Sequence, residues 1–258
     1  MLIEEIKKNY NKLGIEIIET IYTDDYLSIG GTASTEDLAV LAGVTQQSRV
    51  LEIGSGVGGP ALHLAATYGC SVVGLDLVET NVAEANERAK ARQLDHLVSF
   101  QQGDAIDLPF AGGAFDVIWG QDAWCHVPNK AKLIEEIGTV LSPGGTVAFT
   151  DWIQTGPIEG KAREDMLAAM AAPNIATLDD YKRYLESNGC TVVHQENVSD
   201  LFVSQYRAIM SRLVEMRETL SNRFSARVFE IVVQRNNCIL EAFQCGALGG
   251  GRVVARKR

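Results

Sequence analysis

Apolar residues along the middle of the chain follow two alternating patterns, one typical of buried strands and the other of helices. Short, nearly continuous apolar runs predict strands at residues 49–53, 71–76, 97–101, 115–120 and 145–150. Apolar residues at helical spacing predict helices between them, at residues 60–68, 80–92 and 129–141. Strands that alternate with helices are typical of α/β proteins, so the pattern predicts a doubly wound, mostly parallel sheet with helices on both faces.

The residues before the first predicted strand have a different pattern. Apolar side chains between residues 2 and 20 recur near helical spacing and predict an amphipathic helix. Turn-forming residues dominate residues 22–31, and Thr35 then has the character of an N-cap for a short helix. We therefore predict an N-terminal helical lid over residues 1–45, in front of a core over residues 46–258.

Helical patterns dominate the chain beyond Asp151, with two late strand-like runs among them. The predicted helices lie at residues 159–171, 178–187 and 200–224, and the strand-like runs at residues 191–194 and 252–255. A long, mostly helical stretch thus separates the two late strands, which indicates a helical insertion before the last strand. We predict that helices at about residues 156–190 and 199–246 cover the binding site.

The formal net charge of −10 bears on the partners of the 258-residue chain. Neutralising nucleic-acid phosphates needs clustered Lys and Arg, and the only basic cluster is Arg252 with Arg256, Lys257 and Arg258. No apolar run approaches the length of a membrane span, and the first residues mix apolar with charged side chains. We therefore expect a small-molecule substrate, without nucleic acid or membrane as a partner. The oligomeric state does not follow from the sequence.

The cysteines bear on the compartment and on metal binding. The five thiols, at positions 70, 125, 190, 238 and 245, are odd in number and form no CxxC pair. This spacing favours neither a disulfide framework nor a structural zinc site, and no other cluster has metal-ligand spacing. We expect reduced thiols, a cytoplasmic protein and no metal.

Four glycines follow directly after the first predicted strand. Glycines at positions 54, 56, 58 and 59 allow sharp turns and a close approach of the backbone to a ligand, and Pro60 suits the first turn of the next helix. A strand, a glycine loop and a helix in this order are typical of a nucleotide-binding loop. Because Gly54-x-Gly56-x-x-Gly59 fits the dinucleotide fingerprint, an NAD-dependent oxidoreductase is one interpretation.

Carboxylates stand at the ends of the later predicted strands, where sheets of this type bind ligands. Asp76 ends the second strand and can accept both hydroxyls of a ribose, a role that does not distinguish NAD from other adenosine cofactors. Asp104 follows the third strand, where its carboxylate and the next backbone N–H can bind an adenine. Gln121 and Asp122 follow the fourth strand. Together these strand ends resemble those of the Rossmann-like S-adenosylmethionine-dependent methyltransferases.

The resemblance extends over roughly residues 10–255 and implies both a fold and a cofactor. In that family an acidic residue precedes Gly-x-Gly, as Glu52 precedes Gly54 and Gly56 here, and the motif binds the aminocarboxypropyl end of S-adenosylmethionine. The family fold implies a seven-stranded sheet with an antiparallel last strand. The residues that the resemblance assigns to cofactor binding are Tyr26, Ser28, Glu52, Gly54, Ser55, Gly56, Gly58, Asp76, Leu77, Asp104, Ala105, Gln121 and Asp122.

Three further motifs are similar to those of the phosphoethanolamine and sarcosine/dimethylglycine N-methyltransferases. They are Tyr26-x-Ser28-x-Gly30-Gly31, Asp122-Ala123-x-x-His126 and Thr150-Asp151-Trp152. In the phosphoethanolamine enzymes a Tyr on the N-terminal helix pairs with the His as a latch over the site. Tyr10 has a similar spacing from the Gly-Gly pair, so the resemblance implies Tyr10 and His126 as the catalytic pair.

One departure from those enzymes changes the expected acceptor. The phosphoethanolamine enzymes bind the substrate phosphate with Arg and Tyr residues around a Leu-x-x-Tyr segment, here residues 178–181, but residues 166–173 just before it are chiefly Ala and Met. Such a wall lacks the bidentate donors that a phosphate needs. We expect methyl transfer to an amine nitrogen of a sarcosine/dimethylglycine-like or less polar acceptor. The alternatives are C- or O-methylation of a natural-product or prenyl-type acceptor, the oxidoreductase, and cofactor binding without turnover.

Overall fold

A computed structural model describes residues 10–22 and 26–258 of the chain. Seven strands form one sheet in the order β3-β2-β1-β4-β5-β7-β6. The strands are β1 (Arg49–Ile53), β2 (Ser71–Asp76), β3 (Val98–Gln102), β4 (Phe115–Gln121), β5 (Leu141–Gln154), β6 (Cys190–Asn197) and β7 (Leu248–Lys257). The seven predicted strands are therefore confirmed, although β5 and β7 extend well beyond the apolar runs that predicted them.

The last strand runs against its neighbours. Ala255 of β7 lies opposite Val147 of β5 and Val192 of β6 in antiparallel register. The other neighbouring strands pair in parallel, as Leu51 of β1 does with Val73 of β2. The prediction of a doubly wound, mostly parallel sheet with an antiparallel last strand is confirmed. The strand order reverses between β1 and β4, and open α/β sheets bind their ligands in the crevice at such a point.

Ten α-helices lie in the described ranges. They are α1 (Lys12–Ile21), α2 (Gly31–Ala42), α3 (Gly59–Tyr68), α4 (Glu79–Ala91), α5 (Lys130–Val140), α6 (Gly160–Met170), α7 (Leu178–Ser187), α8 (Ser199–Glu215), α9 (Arg217–Phe224) and α10 (Ala226–Gln244). A 3₁₀ turn, Trp124–His126, follows β4. None of the helices in this part of the chain is long and apolar enough to cross a membrane.

Two apolar clusters cover the two faces of the sheet. Helices α2, α3 and α4 pack against one face, in a cluster that includes Val50, and α5 and α7 pack against the other, in a cluster that includes Leu51. Successive side chains of a strand point to opposite faces, which is why two neighbours on β1 belong to different clusters. Burial on both faces explains the nearly continuous apolar runs that predicted the strands.

A third apolar cluster forms a helical cover over the carboxyl ends of the strands. The cover consists of α1, α6, α8, α9 and α10, whose buried side chains include Ile21, Met170 and Phe243. The cluster also contains Cys125, which follows β4, and Trp152, near the end of β5. Helix α2 packs on the sheet instead, so of the two helices described before residue 45 only α1 belongs to the cover.

Two predicted local features differ from the structure. Thr35 does not cap a helix, because α2 begins four residues earlier, after Gly30 in the left-handed region with φ 85°. The helix predicted at residues 200–224 divides into α8 and α9 at Met216, although no glycine or proline marks the break. The amphipathic helix predicted at residues 2–20 is helical from Lys12, after Tyr10 and the N-cap Asn11; residues 2–9, like residues 23–25 of the turn-rich segment, lie outside the described ranges.

Candidate active site

A cleft of about 1010 Å³, counting its open mouth, lies at the carboxyl ends of β1 to β4. It is lined by the residues that follow these strands, as the position of the switch point predicts. Eight of the thirteen residues that the sequence assigns to the cofactor line it, namely Gly54, Gly56, Asp76, Leu77, Asp104, Ala105, Gln121 and Asp122. Tyr10 and His126, the predicted catalytic pair, also line this cleft.

The glycine loop turns tightly under the cleft. Gly54 has φ 83°, and a Cβ there would lie 2.4 Å from the Cβ of Ala123. Both the dihedral angle and the space therefore require glycine. The next glycine of the motif, Gly56, donates its N–H to Asp76 Oδ2 over 2.8 Å. The loop after β1 and the carboxylate after β2 are thus joined into one wall.

Asp76 and Asp104 retain free lone pairs on the carboxylates that face the cleft. Asp76 accepts the N–H groups of Gly56 and Val78 and a side-chain hydrogen bond from Asn81, and burial raises its pKa against the effect of these hydrogen bonds. Asp104 accepts one N–H, from Ile106 over 3.1 Å. Each carboxylate has about four acceptor positions, so hydroxyl or amine donors of a ligand can still bind to both.

Five residues of the predicted cofactor set lie behind the surface of the cleft. They are Tyr26, Ser28, Glu52, Ser55 and Gly58. Glu52 is fully buried, where it accepts the N–H of Ala61 over 3.1 Å in the first turn of α3. Burial raises its pKa well above the usual range. In this geometry Glu52 holds the start of α3 under the glycine loop, and its contact with a cofactor stays a prediction.

Buried polar atoms without a partner mark the same region. Four such side-chain atoms occur in the part of the chain that the structure describes: Ser28 Oγ, Ser55 Oγ, Gln121 Nε2 and Arg252 Nε. Buried polar groups are nearly always hydrogen-bonded, so each exception needs an explanation. Three of the four belong to residues that the sequence assigns to the cofactor. Of these three residues, only Gln121 lines the cleft.

The orientation of the Gln121 amide follows from its neighbours. Its Oε1 accepts hydrogen bonds from Trp119 Nε1 over 3.1 Å and from Thr35 Oγ1 over 2.9 Å. An indole N–H can only donate, so the oxygen must lie on this side and the amide N–H₂ on the other. Gln121 lines the cleft, and its Nε2 is buried without a hydrogen-bond partner.

Tyr10 and His126 form a hydrogen bond in which the donor can be assigned. The Tyr10 hydroxyl lies 2.9 Å from His126 Nε2, and His126 Nδ1 lies 3.2 Å from the carbonyl oxygen of Ala171. A carbonyl only accepts, so Nδ1 carries the proton and Nε2 accepts from the hydroxyl. Burial, opposed by the Ala171 hydrogen bond, lowers the pKa of His126 to about 4. The imidazole is therefore neutral at physiological pH.

Asp122 holds a strained position at the end of β4. It has φ 54°, a left-handed conformation that Asp tolerates better than most residues. Its carboxylate accepts the N–H of Ile29 over 2.6 Å and the hydroxyl of Thr150 over 2.8 Å. Burial, aided by the nearby charge of Asp151, raises the pKa of Asp122 to about 7 against these two hydrogen bonds.

A second cavity of about 940 Å³, again counting its opening, adjoins the first one beneath the helical cover. The two cavities share four lining residues: Tyr10, Leu27, Asp122 and His126. We call this shared region the junction. The Ala- and Met-rich segment contributes residues 169–171 to the second cavity, and Trp152 closes another side. A carboxylate and a neutral imidazole thus stand at the boundary between the two cavities.

Helix α1 is tied to both layers of the protein. Glu19 on α1 pairs with Arg88 on α4, which packs on the sheet, and Glu16 on α1 pairs with Arg223 on α9 of the cover. These ion pairs hold α1 beside the junction, and Tyr10 lies just before the start of α1. Within the predicted lid, α1 is therefore linked both to a helix on the sheet and to a helix of the cover.

A buried lysine supports the turn that carries His126. Lys130 Nζ donates to the carbonyl of Val127 over 3.1 Å and to that of Cys125 over 3.4 Å, so it contacts both neighbours of His126. It also donates to Asn174, over 2.6 Å to Oδ1 and over 3.1 Å to the carbonyl. Asn174 follows Ala171 in the same loop. Lys130 thus fixes the histidine relative to the carbonyl that selects its tautomer.

Sequence patterns did not identify several of these residues. Lys130 is the first residue of α5 and would be taken for a solvated lysine at a helix start, so no local signal distinguishes it. Val232 and Ile239 line the second cavity from α10, a helix that the sequence reading did not separate from the rest of the cover. Ile17 and Ile21 also line it, and here the apolar stripe of the predicted amphipathic helix was an available signal.

The tyrosine of the segment that resembles a phosphate-binding site makes a hydrogen bond inside the protein instead. Tyr181, the tyrosine of the Leu-x-x-Tyr segment, is fully buried and donates its hydroxyl to Asp151 Oδ2 over 2.5 Å. Burial raises the pKa of Asp151 to about 6, opposed by this hydrogen bond and by the Lys130 charge.

Within residues 10–22 and 26–258, no group of three or more His, Cys, Asp or Glu side chains could hold a metal ion.

Comparisons with known proteins agree with this geometry. Residues 51–149 match the family model described as a methyltransferase domain. Glycine/sarcosine/dimethylglycine N-methyltransferase of Actinopolyspora halophila is 30% identical over 202 residues, which are 77% of this chain and 35% of that protein. The chain therefore spans only about a third of that relative's length. 27-O-Demethylrifamycin SV methyltransferase of Amycolatopsis mediterranei is 28% identical over 88% of this chain and 83% of its own.

A solved structure shares the fold over the whole chain. Phosphoethanolamine N-methyltransferase 2 of Haemonchus contortus, in complex with phosphomonomethylethanolamine and S-adenosylhomocysteine, superposes with a TM-score of 0.91 at 23% identity, covering 100% of this chain and 60% of that one. The family model, the curated relatives and the shared fold agree with the sheet described above. Residues 51–149 therefore belong to the methyltransferase-domain family, and the chain is similar over most of its length to methyltransferases whose methyl donor is S-adenosylmethionine.

Proposed function

We propose that this protein transfers the methyl group of S-adenosylmethionine to an amine nitrogen of a small molecule that binds in the second cavity. The observation that carries the proposal is the junction, where Asp122 and His126 line both cavities. A cofactor in the cleft and an acceptor in the second cavity meet there. The N-methyltransferase from Actinopolyspora halophila, which acts on glycine and its methylated derivatives, supports an amine acceptor.

The protein's main contribution to the reaction is alignment. S-Adenosylmethionine supplies a methyl group that is already activated by a cationic sulfur. The nucleophile then has to be held close and in line, and well-oriented bound reactants can gain several kcal/mol, about 7 to 11 in favourable cases, from this effect alone. The walls of the two cavities are set by the sheet and by the helical cover, so both reactants are held by rigid elements.

Gln121 and Asp76 are suited to hold opposite ends of the cofactor. The buried Nε2 of Gln121 can donate to a carboxylate, and that hydrogen bond would satisfy its missing partner. Asp76 and Asp104 can accept the ribose hydroxyls and the adenine amine at the other end of the cleft. The ionised carboxylate of Asp122 is then the counter-charge for the sulfonium.

The acceptor must lose a proton, and Asp122 is better suited than His126 to receive it. A pKa of about 4 makes His126 a weak base, so this residue can accept a hydrogen bond or relay a proton but does not retain one near neutral pH. Asp122 has a pKa of about 7, close to the value that favours general-base catalysis at physiological pH. Its two oxygens each accept one hydrogen bond, so each has a further lone pair.

A second candidate function is O- or C-methylation of a natural product. The apolar lining of the second cavity favours it, and 27-O-demethylrifamycin SV methyltransferase is similar over most of its length. A hydroxyl acceptor would also need a base at the junction, which Asp122 could provide. A phosphobase acceptor is disfavoured, because Tyr181 is bonded to Asp151 and Arg235 is the sole Arg or Lys among the described lining residues of the cavity.

Transfer of an isotopically labelled methyl group tests the proposal. The protein is incubated with labelled S-adenosylmethionine and a panel of amines, phenols and prenyl compounds, and the labelled position is identified by NMR. We expect N-methyl products together with an equal amount of S-adenosylhomocysteine. Label on oxygen or carbon only would favour the second candidate. A melting temperature raised by NADH and not by S-adenosylmethionine would overturn both.

A further inference from the structure

We infer that the acceptor is an amphiphile whose apolar body lies between α1, α6 and α10 while its nucleophilic atom reaches the junction. The inference rests on the proposed function, because it assigns the second cavity to the methyl acceptor. It goes further by naming the class of molecule: a compound with a hydrocarbon or aromatic body, instead of a small amino acid or a phosphobase.

The side of the second cavity that the helical cover forms is lined chiefly by aliphatic side chains. Three helices contribute Ile17, Ile18 and Ile21 from α1, Met170 from α6, and Val232 and Ile239 from α10. Several of these side chains belong to the apolar cluster under the cover. Sites with such walls take up ligands mainly through burial of apolar surface, with a few polar groups that fix the orientation.

The polar groups of the cavity are concentrated at one place or are already engaged. Asp122, His126 and Tyr10 lie at the junction with the cofactor cleft. Asn236, on the α10 wall, accepts the Tyr206 hydroxyl over 2.6 Å and donates its own amide to the Val232 carbonyl over 2.8 Å. The polar end of an acceptor therefore belongs at the junction, and its body belongs against the aliphatic walls.

A small zwitterion would fit this cavity poorly. An acceptor carboxylate binds best to bidentate or clustered donors. Arg235 is the single basic residue among the lining residues that the structure describes, and it donates to the Ala169 carbonyl over 2.9 Å. A molecule of a few heavy atoms would leave most of this apolar wall uncovered.

A homologous series of amines tests the inference. N-Methylanilines with para-alkyl chains from methyl to octyl stay uncharged near neutral pH, so only their apolar surface varies. Their affinity for the protein loaded with S-adenosylhomocysteine is measured by calorimetry, and their methylation is measured with labelled S-adenosylmethionine. Sarcosine and dimethylglycine are the polar comparison. We expect affinity to rise about threefold to fourfold with each added methylene until the cavity is full.

A matched pair of variants shows where the alkyl chain lies. Val232→Phe fills part of the cavity and should shift the preferred chain to a shorter length. Ile231→Phe introduces the same ring at the neighbouring position, which is 48% exposed and does not line the cavity, and should leave the preference unchanged. A shift of the optimum is a readout that simple destabilisation of α10 would not produce.

The outcomes separate this inference from the proposed function. Binding and methylation that are strongest for sarcosine or dimethylglycine, or affinity that does not change with chain length, would overturn the amphiphile and leave N-methylation standing. Affinity that rises with chain length without methylation of any amine would support the cavity assignment and overturn the proposed function. An unchanged chain-length optimum in Val232→Phe would show that the alkyl chain does not lie in this cavity.

Discussion

The Tyr10 hydroxyl donates to His126 Nε2 over 2.9 Å, because the other ring nitrogen of His126 is already used to bind the Ala171 carbonyl. This bond joins the residue just before α1 to the turn after β4. It therefore links the helical cover to the end of the sheet at the point where the two cavities meet. The histidine is neutral, and its orientation is fixed from both sides.

Removal of this hydrogen bond should impair turnover. Tyr10→Phe keeps the ring and loses the donor, and His126→Asn keeps a donor for the Ala171 carbonyl but places no acceptor near Tyr10. We expect each variant to lower kcat/KM about tenfold, and the double variant to lose no more than the single ones, because the two residues act as one unit. The measurement is a double-mutant cycle in the methyl-transfer assay. Additive losses would show that the pair does not act together.

Gln121 should recognise the aminocarboxypropyl end of the cofactor. Gln121→Glu keeps the acceptor that Trp119 and Thr35 need but replaces the buried N–H₂ donor with an oxygen. We expect affinity for S-adenosylhomocysteine to fall about tenfold or more, since a hydrogen bond to a charged group is lost. Methylthioadenosine lacks the aminocarboxypropyl arm and is the matched control, so its affinity should not change. An equal loss for both ligands would place the effect elsewhere in the cleft.

Asp122 should distinguish the charged cofactor from its neutral product. Because burial raises the pKa of Asp122 to about 7, the fraction of ionised carboxylate rises as pH rises through that value. The sulfonium of S-adenosylmethionine favours the ionised form, whereas the thioether of S-adenosylhomocysteine does not. We expect the ratio of the two affinities to rise about tenfold between about pH 6 and pH 8. Calorimetry with both ligands measures this ratio.

The matched variant for this prediction is Asp122→Asn. Asn also tolerates the left-handed conformation, and its amide can keep both contacts if Thr150 accepts instead of donating. The pH dependence of the affinity ratio should disappear in this variant. A ratio that still varies with pH in Asp122→Asn would assign the effect to another group.

Lys130 should act on catalysis through the position of His126. Lys130→Met leaves the carbonyls of Cys125, Val127 and Asn174 without their donor, which should cost roughly 1–3 kcal/mol of stability. We also expect kcat to fall while cofactor affinity is retained. The specific readout is the NMR signature of the His126 ring nitrogens, which should lose the single Nδ1–H tautomer. If Lys130→Met is less stable but keeps the wild-type kcat and the wild-type tautomer of His126, the role of Lys130 is purely structural.

Much of the fold could be predicted from the sequence because burial on both faces imposes a clear pattern. Strands such as β1 are recognisable as apolar runs in the sequence. The glycine at position 54 is required both by its positive φ and by the proximity of Ala123. The acidic strand ends were also visible, since ligands of such sheets bind where Asp76 and Asp104 stand. The contact between Tyr10 and His126 was predicted only from a family resemblance.

The second cavity could not be predicted because its walls come from opposite ends of the chain. Ile17 and Ile239 line one chamber, and each is simply an apolar position on a helix until the cover is assembled. Lys130 is similar, because its role depends on the loop that carries Asn174. Glu52 is the opposite case, because a motif identifies it from the sequence but the structure gives it a different place. It lies under the glycine loop, where it accepts the N–H of Ala61 in the first turn of α3, and it does not line the cleft.

The pH dependence of methyl transfer tests most directly the central claim that the junction at Asp122 carries the chemistry. Single turnovers are followed with S-adenosylmethionine saturating and with an N-methylaniline, whose nitrogen stays uncharged over the range. We expect the wild-type rate to rise with pH and then level off, because Asp122 accepts a proton only when it is ionised; the inflection should lie below the value of about 7 for the free protein, since the bound sulfonium favours the ionised carboxylate. Asp122→Asn should lower the rate about 100-fold or more and lose this rise. An Asp122→Asn protein that keeps the wild-type rate and its inflection would contradict the account.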